Sequence, residues 1–478
     1  MKKLIIPPEA CGKRLSDYLR EQAGSTGFYP AQPCGGHGLC GKCRVMTEDG
    51  RTLLACRTLC PPEGLVLLVP EESLAADGAP GEALPPGTEL ALDIGTTTLA
   101  LAWAEPASGR ILRERTLLNP QQAFGTDVLS RITASETQLD GLTEAVRGAL
   151  RDAMDGLPPV PRIIAVGNPT MLSLFSGVSP LPMGRAPFTP AFTEAQTLSG
   201  PALGLPASEV RLLPGISAYA GADLCAGLAA EGILGKTSPV LYLDLGTNAE
   251  MALWDPGRGR LTVTSAAAGP ALEGARISCG LGGVIGAVSR VFVRRGLFFY
   301  ETVGDAPARG LCGSGLVDLC ACLLEEGLLT ENGYLEEDFA LRGVHHRADG
   351  DFPDASPVLV LTRQDVRELQ LAKSAVYTGA ELLLEEAGLS PGELGEVLLA
   401  GGLGVFIDPK SAVRIGLLPR AFLKKLRSCG NAALRGAVLA MRKPSAGVRE
   451  AAMAETLPLS GLPSFFDLFL ENMSFPEH

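Results

Sequence analysis

The segment Glu89-Leu-Ala-Leu-Asp-Ile-Gly-Thr-Thr-Thr-Leu-Ala-Leu-Ala-Trp103 sets the pattern for most of this chain. A run of apolar residues ends at Asp93, a Gly-Thr-Thr-Thr turn follows, and a second apolar run begins at Leu99. This pattern predicts a strand, a tight polar turn and an antiparallel strand. A further turn leads into a predicted strand near residues 111–117, so we expect three consecutive strands here.

The same pattern occurs a second time. The later segment Val240-Leu-Tyr-Leu-Asp-Leu-Gly-Thr-Asn-Ala-Glu-Met-Ala-Leu-Trp254 has the same Asp-(Ile/Leu)-Gly-Thr core, with Asp244 in the place of Asp93. A third strand is again predicted after it, at residues 261–265. The two copies are too far apart for a solenoid repeat, so we interpret them as the two halves of a duplicated domain.

Each turn has the chemistry of a phosphate-binding loop. Its glycine lets the backbone approach a ligand closely, and its backbone N–H groups and hydroxyls can face a polyphosphate. The carboxylate at the strand end can hold Mg²⁺, which prefers carboxylate and phosphate oxygens. Two such turns facing each other would bind one nucleotide from both sides. A pair of ordinary β-hairpins is the alternative, and it explains one copy better than two matched copies.

The two turns resemble the phosphate-1 and phosphate-2 loops of the superfamily of acetate and sugar kinases, heat-shock chaperones and actin. The adenosine motif of that superfamily is a Gly-Gly pair after a strand, and Glu396-Val-Leu-Leu-Ala-Gly-Gly-Leu-Gly404 matches it. The resemblance implies an α/β fold with a duplicated ribonuclease-H-like (actin-like ATPase) body. It also implies that this body binds ATP and Mg²⁺.

The same resemblance implies roles for individual residues. Asp93 and Asp244 are implied to be the catalytic acids, which hold Mg²⁺ or orient water. The implied phosphate contacts come from Gly95, Thr96, Thr97, Gly246, Thr247 and Asn248. The implied adenosine contacts come from Gly401, Gly402 and Gly404.

A glycine-rich loop near the N-terminus contains closely spaced cysteines. The loop Cys34-Gly-Gly-His-Gly-Leu-Cys-Gly-Lys-Cys43 is followed by a predicted strand and then by Cys56. Three cysteines in such a loop with a fourth after a strand indicate a 2Fe–2S cluster, because the glycines allow backbone N–H groups to face the cluster sulfurs. We therefore expect the metal ligands to be Cys34, Cys40, Cys43 and Cys56.

Two alternatives remain open for this loop. Five, two and twelve residues separate the cysteines, and the first gap resembles the adrenodoxin-like branch of ferredoxins. The last gap is short for a ferredoxin, so Cys60 is an alternative to Cys56. Structural zinc sites usually contain two Cys-x₂-Cys pairs, whereas this segment has one, Cys40 with Cys43. His37 could complete a zinc site, although a histidine among glycines is more often solvated.

The composition limits the other classes of function. The chain has 478 residues, enough for two or three domains, and its net charge of −12 argues against a general nucleic-acid-binding surface. No apolar run approaches the roughly 20 residues that a membrane-spanning helix needs, and the start does not have the pattern of a signal peptide. We therefore expect a cytoplasmic protein with no membrane or nucleic-acid partner. Its 12 cysteines are then expected to be ligands or core residues rather than disulfides.

These observations predict four parts of the chain. They are an α+β ferredoxin-like domain at residues 1–70, a Pro-, Gly- and Ala-rich linker at 71–88, and ATPase halves at 89–237 and 238–478. The glycine loop at residues 310–315 precedes a predicted helix and is interpreted either as an anion site or as helix capping by Ser314. Residues 464–472 predict a terminal amphipathic helix that docks on the body.

The combination of a ferredoxin-like domain with an ATPase body resembles the reductive activators of corrinoid proteins. The cysteine loop and runs at residues 119–132, 268–274, 310–315 and 430–431 carry this resemblance. It implies that ATP drives an electron through the cluster to return cobalt(II) to cobalt(I). The implied partners are a corrinoid protein of a methyltransferase system and an electron donor protein or low-potential reductant, and homodimer formation is left open. We also expect the extra middle domain of longer relatives to be missing.

Other classes of function stay open at the level of sequence. One is a small-molecule kinase with an appended redox-sensing iron–sulfur domain, and another is an ATP-dependent scaffold that only holds its partner. A third is an ATP-dependent activator of 2-hydroxyacyl-CoA dehydratases. Those activators carry a cluster between subunits, so the N-terminal cysteine unit argues against this alternative.

Overall fold

The fold comes from a computed structural model that describes most of the chain. The described residues are 2–21, 44–47, 52–55, 57–69, 84–246, 248–274, 276–348, 350–354, 356–401, 403, 407–442 and 447–477. Seven of the predicted site residues lie outside them: Cys34, Cys40, Cys43, Cys56, Thr247, Gly402 and Gly404. The predicted linker also lies outside them, apart from residues 84–88.

The N-terminal unit is a small antiparallel sheet with one described α-helix. Its elements are β1 (Lys2–Ile6), α1 (Leu15–Glu21), β2 (Arg44–Thr47), β3 (Thr52–Leu54) and β4 (Leu65–Val69), with strand order β1-β4-β2-β3. The apolar face of α1 is buried in a core of its own with Ile6, Leu15, Leu19, Val45 and Leu67. The α+β character predicted for this unit is confirmed.

The first half of the body is built on a six-stranded sheet. Its elements are β5 (Glu89–Ile94), β6 (Thr98–Ala104), β7 (Ile111–Leu118), α2 (Val128–Met154), β8 (Val160–Gly167), α3 (Pro169–Ser176), β9 (Gln196–Ser199), β10 (Ala207–Leu212) and α4 (Ala222–Ala230). The strand order is β7-β6-β5-β8-β10-β9. The first three strands form an antiparallel meander, and β8 then joins the other side of β5 in parallel. This is the ribonuclease-H-like arrangement that the sequence predicts.

The second half repeats this plan and carries an inserted region. Its elements are β11 (Val240–Leu245), β12 (Ala249–Asp255), β13 (Arg260–Ala266), β14 (Ala287–Arg294), β15 (Leu297–Thr302), β16 (Gly310–Leu311), α5 (Gly313–Glu325), β17 (Phe339–Leu341), β18 (Val344–Arg347), β19 (Gly350–Pro353), β20 (Leu359–Leu361), α6 (Arg363–Ala387), β21 (Glu396–Ala400), α7 (Pro409–Arg414), β22 (Leu426–Gly430), α8 (Ala432–Arg442), α9 (Val448–Ala451), β23 (Glu455–Thr456) and α10 (Phe465–Glu471).

The second six-stranded sheet has the order β22-β21-β11-β12-β13-β23. Strands β11, β12 and β13 form the antiparallel meander, and β21 pairs in parallel with β11 as β8 does with β5. Strands β14 to β16 and β18 to β19 form a separate five-stranded sheet between the two parts of this half. The matching order of the two large sheets confirms the duplication.

The two halves share a hydrophobic core through helices α4 and α8. Small residues allow this close packing: a Cβ on Gly436 of α8 would overlap the carbonyl oxygen of Ala226 in α4, and one on Gly227 would overlap the Tyr242 hydroxyl of β11. Leu84, at the end of the predicted linker, also packs against this core. The shared core fixes the two sheets relative to each other, so the carboxyl ends of their central strands face one cleft.

Within the described part of the chain, no helix combines the length and apolar character needed to cross a membrane.

Candidate nucleotide-binding site

The turn after β5 is held in place by four hydrogen bonds to its carbonyl oxygens, one of which the Gln122 side-chain amide donates to the Thr97 oxygen at 3.1 Å. The Asn119 side-chain amide donates to the Gly95 oxygen at 2.8 Å, and the Arg131 guanidinium donates to the Thr96 oxygen at 2.7 Å. The backbone N–H of Asn119 donates to the Thr97 oxygen at 2.8 Å. Because its carbonyls are tied to the 119–131 segment, the turn is rigid before any ligand arrives.

Arg131 places a buried positive charge directly behind this turn. Its side chain is fully buried on α2, and its Nε also donates to the Gly125 oxygen at 2.9 Å. Burial lowers the pKa of Arg131 to about 10, and the carboxylates of Glu273 and Asp127 act in the opposite direction. The group is therefore charged at neutral pH and makes the turn more attractive to an anion.

Asp93 lies at the end of the central strand β5 and is bonded to the other half of the body. The side-chain amide of Asn431, at the start of α8, donates to the Asp93 carboxylate at 2.9 Å. The Asn431 oxygen also accepts from the Leu434 N–H at 2.8 Å, which fixes the direction of the side chain. One asparagine thus caps the helix and orients the acid.

Five carboxylates gather at the carboxyl ends of the two central strands. Burial, together with the charge of the neighbouring Asp223 carboxylate, raises the pKa of Asp93 to about 7 and that of Asp244 to about 8. Burial also raises the pKa values of Asp223 and Glu250, and the charge of Glu273 adds to the rise at Asp244 and Glu250. Carboxylates so close together repel one another, and a divalent cation among them would relieve that repulsion.

Gly401 lies directly against the second turn. The register that pairs Asp244 of β11 with Ala400 of β21 places the following glycine beside the acid. Its φ of +81° is in the left-handed region, and a Cβ there would lie 2.6 Å from the Asp244 Oδ1 and 2.8 Å from the Leu245 oxygen. Only glycine allows this approach. Within the turn itself, the Gly246 N–H donates to the Asn248 oxygen at 3.0 Å.

The two turns meet at the side chain of Glu273, which follows β13. The Thr97 hydroxyl of the first turn donates to Glu273 Oε2 at 2.8 Å. A Cβ on Gly246 of the second turn would lie 3.5 Å from Glu273 Oε1. One carboxylate from the second half therefore bonds the first turn across the cleft and lies beside the second turn.

These groups fit a magnesium nucleotide. The donors are carboxylates and hydroxyls, which are hard oxygen ligands of the kind Mg²⁺ prefers. Among the described residues, no group of three or more His, Cys, Asp or Glu side chains is arranged to hold a metal ion by itself. Magnesium in nucleotide sites usually takes one or two carboxylates and completes its shell with phosphates and waters, so this arrangement agrees with such a site.

The structure gives the glycine loop before α5 a role in packing. The N-cap is Cys312, without a side-chain cap bond, and the Ser314 hydroxyl donates instead to the Ser289 oxygen at 2.7 Å. The interpretation that Ser314 caps the helix is therefore wrong. A Cβ on Gly313 would overlap the Leu272 carbonyl oxygen, so the glycine lets α5 pack against the turn that carries Glu273.

Cys60, the alternative cluster ligand, lies in the core of the N-terminal unit. Its side chain is buried among apolar residues, and burial is the main cause that raises the pKa of its thiol. A thiol must lose its proton to ligate iron, so this position is unfavourable for a ligand. The predicted ligands Cys34, Cys40, Cys43 and Cys56 lie outside the described residues.

The structure brings most of the predicted nucleotide residues to one cleft. They are Asp93, Gly95, Thr96, Thr97, Asp244, Gly246, Asn248 and Gly401. Sequence reasoning assigned no role to several side chains that meet them there: Asn119, Arg131, Asn168, Asp223, Glu250, Glu273 and Asn431. Glu250 could have been found from the hairpin, because it faces Asp244 across the turn. The others come from distant parts of the chain and needed the fold.

Two family models match the chain. The model described as the RACo middle region matches residues 88–236. The model described as the C-terminal domain of RACo, the ASKHA domain, matches residues 238–478, which is half of the chain. The chain belongs to the reductive activators of corrinoid proteins. The family resemblance predicted from sequence is confirmed, and so is the actin-like ATPase fold.

Named relatives of this activator support the same family. It is 33% identical over 422 residues to the corrinoid activation enzyme RamQ of Eubacterium limosum, covering 81% of this chain and 70% of RamQ. It is 26% identical over 336 residues to the Co(II) methylated amine-specific corrinoid protein reductase of Methanosarcina barkeri, covering 63% and 59% of the two chains. A solved reductive activator for corrinoid, iron-sulfur protein aligns with a TM-score of 0.73 and 30% identity, over 83% of this chain and 67% of that chain.

The middle-region model covers the first half of the activator's ATPase body. It matches residues 88–236, whereas the extra domain that we expect to be missing would precede that body. The matched region therefore coincides with the first ribonuclease-H-like half. The sequence pattern assigns that stretch to the ATPase body, because its first turn is a matched copy of the second.

Proposed function

We propose that this chain uses ATP to drive one electron into the cobalt(II) form of a corrinoid protein, which restores cobalt(I). The observation that carries the proposal is a hydrogen bond across the cleft. The Thr97 hydroxyl of the first half donates to the Glu273 carboxylate of the second half at 2.8 Å. A nucleotide that enters between the two turns must change this contact. Nucleotide binding can thereby favour one arrangement of the halves over another.

The chain's residues would divide the work at the cleft. Asp93 and Asp244 would hold Mg²⁺, and Thr96, Thr97, Thr247 and Asn248 would contact the phosphates with the backbone of Gly95 and Gly246. Gly401, Gly402 and Gly404 would lie along the adenosine. Bound Mg²⁺ would neutralise phosphate charge, which is the main requirement of phosphoryl chemistry.

For the electron, we propose that Cys34, Cys40, Cys43 and Cys56 hold a 2Fe–2S cluster. The pairing of Arg44 with Leu54 supports Cys43 and Cys56 as ligands, because Cys43 directly precedes β2 and Cys56 follows Leu54 by two residues. The burial of Cys60 favours Cys56 as the fourth ligand. Such a cluster accepts one electron from a donor and gives one to cobalt.

Transfer of one electron requires two partners, an acceptor and a donor. The relatives are named for corrinoid activation and corrinoid protein reduction, and we propose that a corrinoid protein of a methyltransferase system is the acceptor here. A low-potential reductant or electron donor protein must supply the electron. We further propose that the chain works in the cytoplasm, where such donors are kept reduced, and that it can form homodimers.

The first test of the cluster is spectroscopic. Protein purified without oxygen should contain two irons per chain and show a rhombic EPR signal only after reduction with dithionite, as expected for one 2Fe–2S cluster. The Cys60→Ser variant should keep the signal, whereas Cys56→Ser should lose it. A colourless protein that contains zinc would contradict the electron-transfer role and favour a kinase or a scaffold.

A further inference from the structure

Glu273 is placed where the chemistry of ATP hydrolysis would occur. Its two carboxylate oxygens face the two phosphate turns, one bonded to the Thr97 hydroxyl and the other close to Gly246. A terminal phosphate held by both turns would therefore lie beside this carboxylate. Asp93 and Asp244, by contrast, lie at the ends of the central strands β5 and β11.

The backbone that carries Glu273 is held rigidly. Glu273 ends a short 3-10 turn that begins at Pro270. On one side, Gly313 packs against the Leu272 carbonyl with no room for a Cβ, as described above. On the other side, Gly274 has a φ of +76°, and a Cβ there would overlap the Leu281 carbonyl oxygen. Two glycines that no other residue can replace therefore fix the position of this carboxylate.

The other acids of the cleft are less suited to contact a water at the terminal phosphate. Asp223 begins helix α4, and its Oδ1 accepts the Leu224 N–H at 2.9 Å. Glu250 lies on β12 directly opposite Asp244, so it belongs to the hairpin of the second turn. Glu273 is the described carboxylate that bonds a side chain of the first turn from the second half.

We propose that Glu273 orients the attacking water and accepts its proton during ATP hydrolysis. The water oxygen forms a bond to the γ-phosphorus, the bond from that phosphorus to the ADP oxygen breaks, and the water proton passes to the Glu273 carboxylate. ADP and inorganic phosphate are the products. This assignment rests on the proposed function. The Thr97 hydroxyl, which donates to Glu273 in this structure, then becomes free to donate to a phosphate oxygen.

The variant Glu273→Gln separates catalysis from structure. Glutamine has the same shape and its oxygen can still accept the Thr97 hydroxyl, but it cannot take a proton from water. General-base catalysis typically contributes about 10²- to 10⁴-fold. We expect the ATP hydrolysis rate to fall by about 10²-fold or more, while the affinity for a non-hydrolysable ATP analogue changes less than about 3-fold. The exposed Glu337→Gln in the same half is the matched control and should keep the wild-type rate.

The possible results distinguish failure of the Glu273 assignment from failure of the proposed function. Hydrolysis by Glu273→Gln at a rate close to wild type would overturn the assignment of Glu273 and leave the proposed function standing. If Glu273→Gln lost analogue binding and hydrolysis to the same extent, the assignment of Glu273 would also be overturned. Glu273 would then only hold the two halves together. A wild-type chain that binds no ATP would overturn the proposed function itself, and the assignment of Glu273 with it.

Discussion

At the scale of single residues, the cleft depends on side chains that hold its turns from behind. Asn119 is an example, because its amide bonds the Gly95 oxygen while its own oxygen accepts the Gln121 N–H at 3.0 Å. The side chain is 1% exposed, so water cannot replace these bonds. A buried polar group left without its partner typically costs about 1–3 kcal/mol.

Replacement of Asn119 by alanine should therefore affect both stability and nucleotide binding. We expect the free energy of unfolding to fall by about 1–3 kcal/mol and the affinity for ATP to fall several-fold, because the first turn loses one of its four anchoring hydrogen bonds. Denaturant unfolding and nucleotide titration measure the two effects. Asn332→Ala, in an exposed loop far along the chain, is the control for nucleotide binding and should keep the wild-type ATP affinity. Unchanged ATP affinity in Asn119→Ala would show that the turn does not need this anchor.

The sequence could identify the residues that face the ligand but not those that support them. Asp93 and Asp244 were predicted because a carboxylate, a glycine and hydroxyl residues follow one another along the chain. Arg131 and Asn431 reach the same cleft from 35 residues away or more, and a buried arginine on a helix has no local pattern that distinguishes it from a solvated one. Tertiary packing alone decides where such side chains point.

At the scale of elements, helix α6 binds the C-terminal segment through side chains that lie within about one helical turn. The Gln370 amide donates to the Met473 oxygen at 3.1 Å, and the Ser374 hydroxyl donates to the Phe469 oxygen. The Lys373 ammonium donates to the Ser474 oxygen and lies 5.4 Å from the centre of the Phe475 ring. The terminal helix predicted at residues 464–472 is confirmed as α10 (Phe465–Glu471), docked on the body.

The buried Lys373 makes the stability of this element depend on pH. Burial lowers the pKa of Lys373 from 10.5 to about 7. Between these values the unfolded chain binds the proton and the folded chain does not, so the free energy of unfolding rises with pH. One such group can raise the free energy of unfolding by up to about 1.4 kcal/mol for each pH unit. Below pH 7 both states are protonated and this dependence ends.

Lys373→Met should remove this part of the pH dependence. We expect the rise in the free energy of unfolding between pH 7.5 and 9 to be smaller than in wild type by about 1–2 kcal/mol, measured by urea unfolding. Lys424→Met, at an exposed position, should keep the wild-type slope. Equal slopes in wild type and Lys373→Met would show that the ammonium keeps its ordinary pKa in the folded protein.

The order of the elements was largely predictable, whereas the inserted sheet was not. The alternation of apolar runs and turns predicted both meanders, since period-2 patterns and turn residues are local signals. Strands β16 to β19 have only two to four residues each. The pairing in the inserted sheet also includes distant segments, such as β15 with β18. No local signal specifies such pairs, because they depend on how the second half closes around α5.

At the scale of the whole molecule, the two halves are joined at a core and also at the site. Helices α4 and α8 pack the halves together. Two hydrogen bonds also cross the cleft, one from Asn431 to Asp93 and one from Thr97 to Glu273. A nucleotide that replaces the bond between Thr97 and Glu273 therefore acts on the contact between the two halves, which the shared core also supports. Cleft occupancy can thus be transmitted to the rest of the body, as a nucleotide-driven activator requires.

The central claim is that one chain couples ATP to the reduction of cobalt. The most direct measurement follows cobalt(I) formation by absorbance in a methyltransferase corrinoid protein in the cobalt(II) state, with a low-potential one-electron donor present. Wild type should form cobalt(I) only when Mg²⁺ and ATP are added. Asp244→Ala should form none and hydrolyse no ATP, while it keeps the wild-type fold and the reduced-cluster EPR signal. The exposed Asp351→Ala is its control. Cobalt(I) formed at the same rate without ATP, or by Asp244→Ala, would contradict the account.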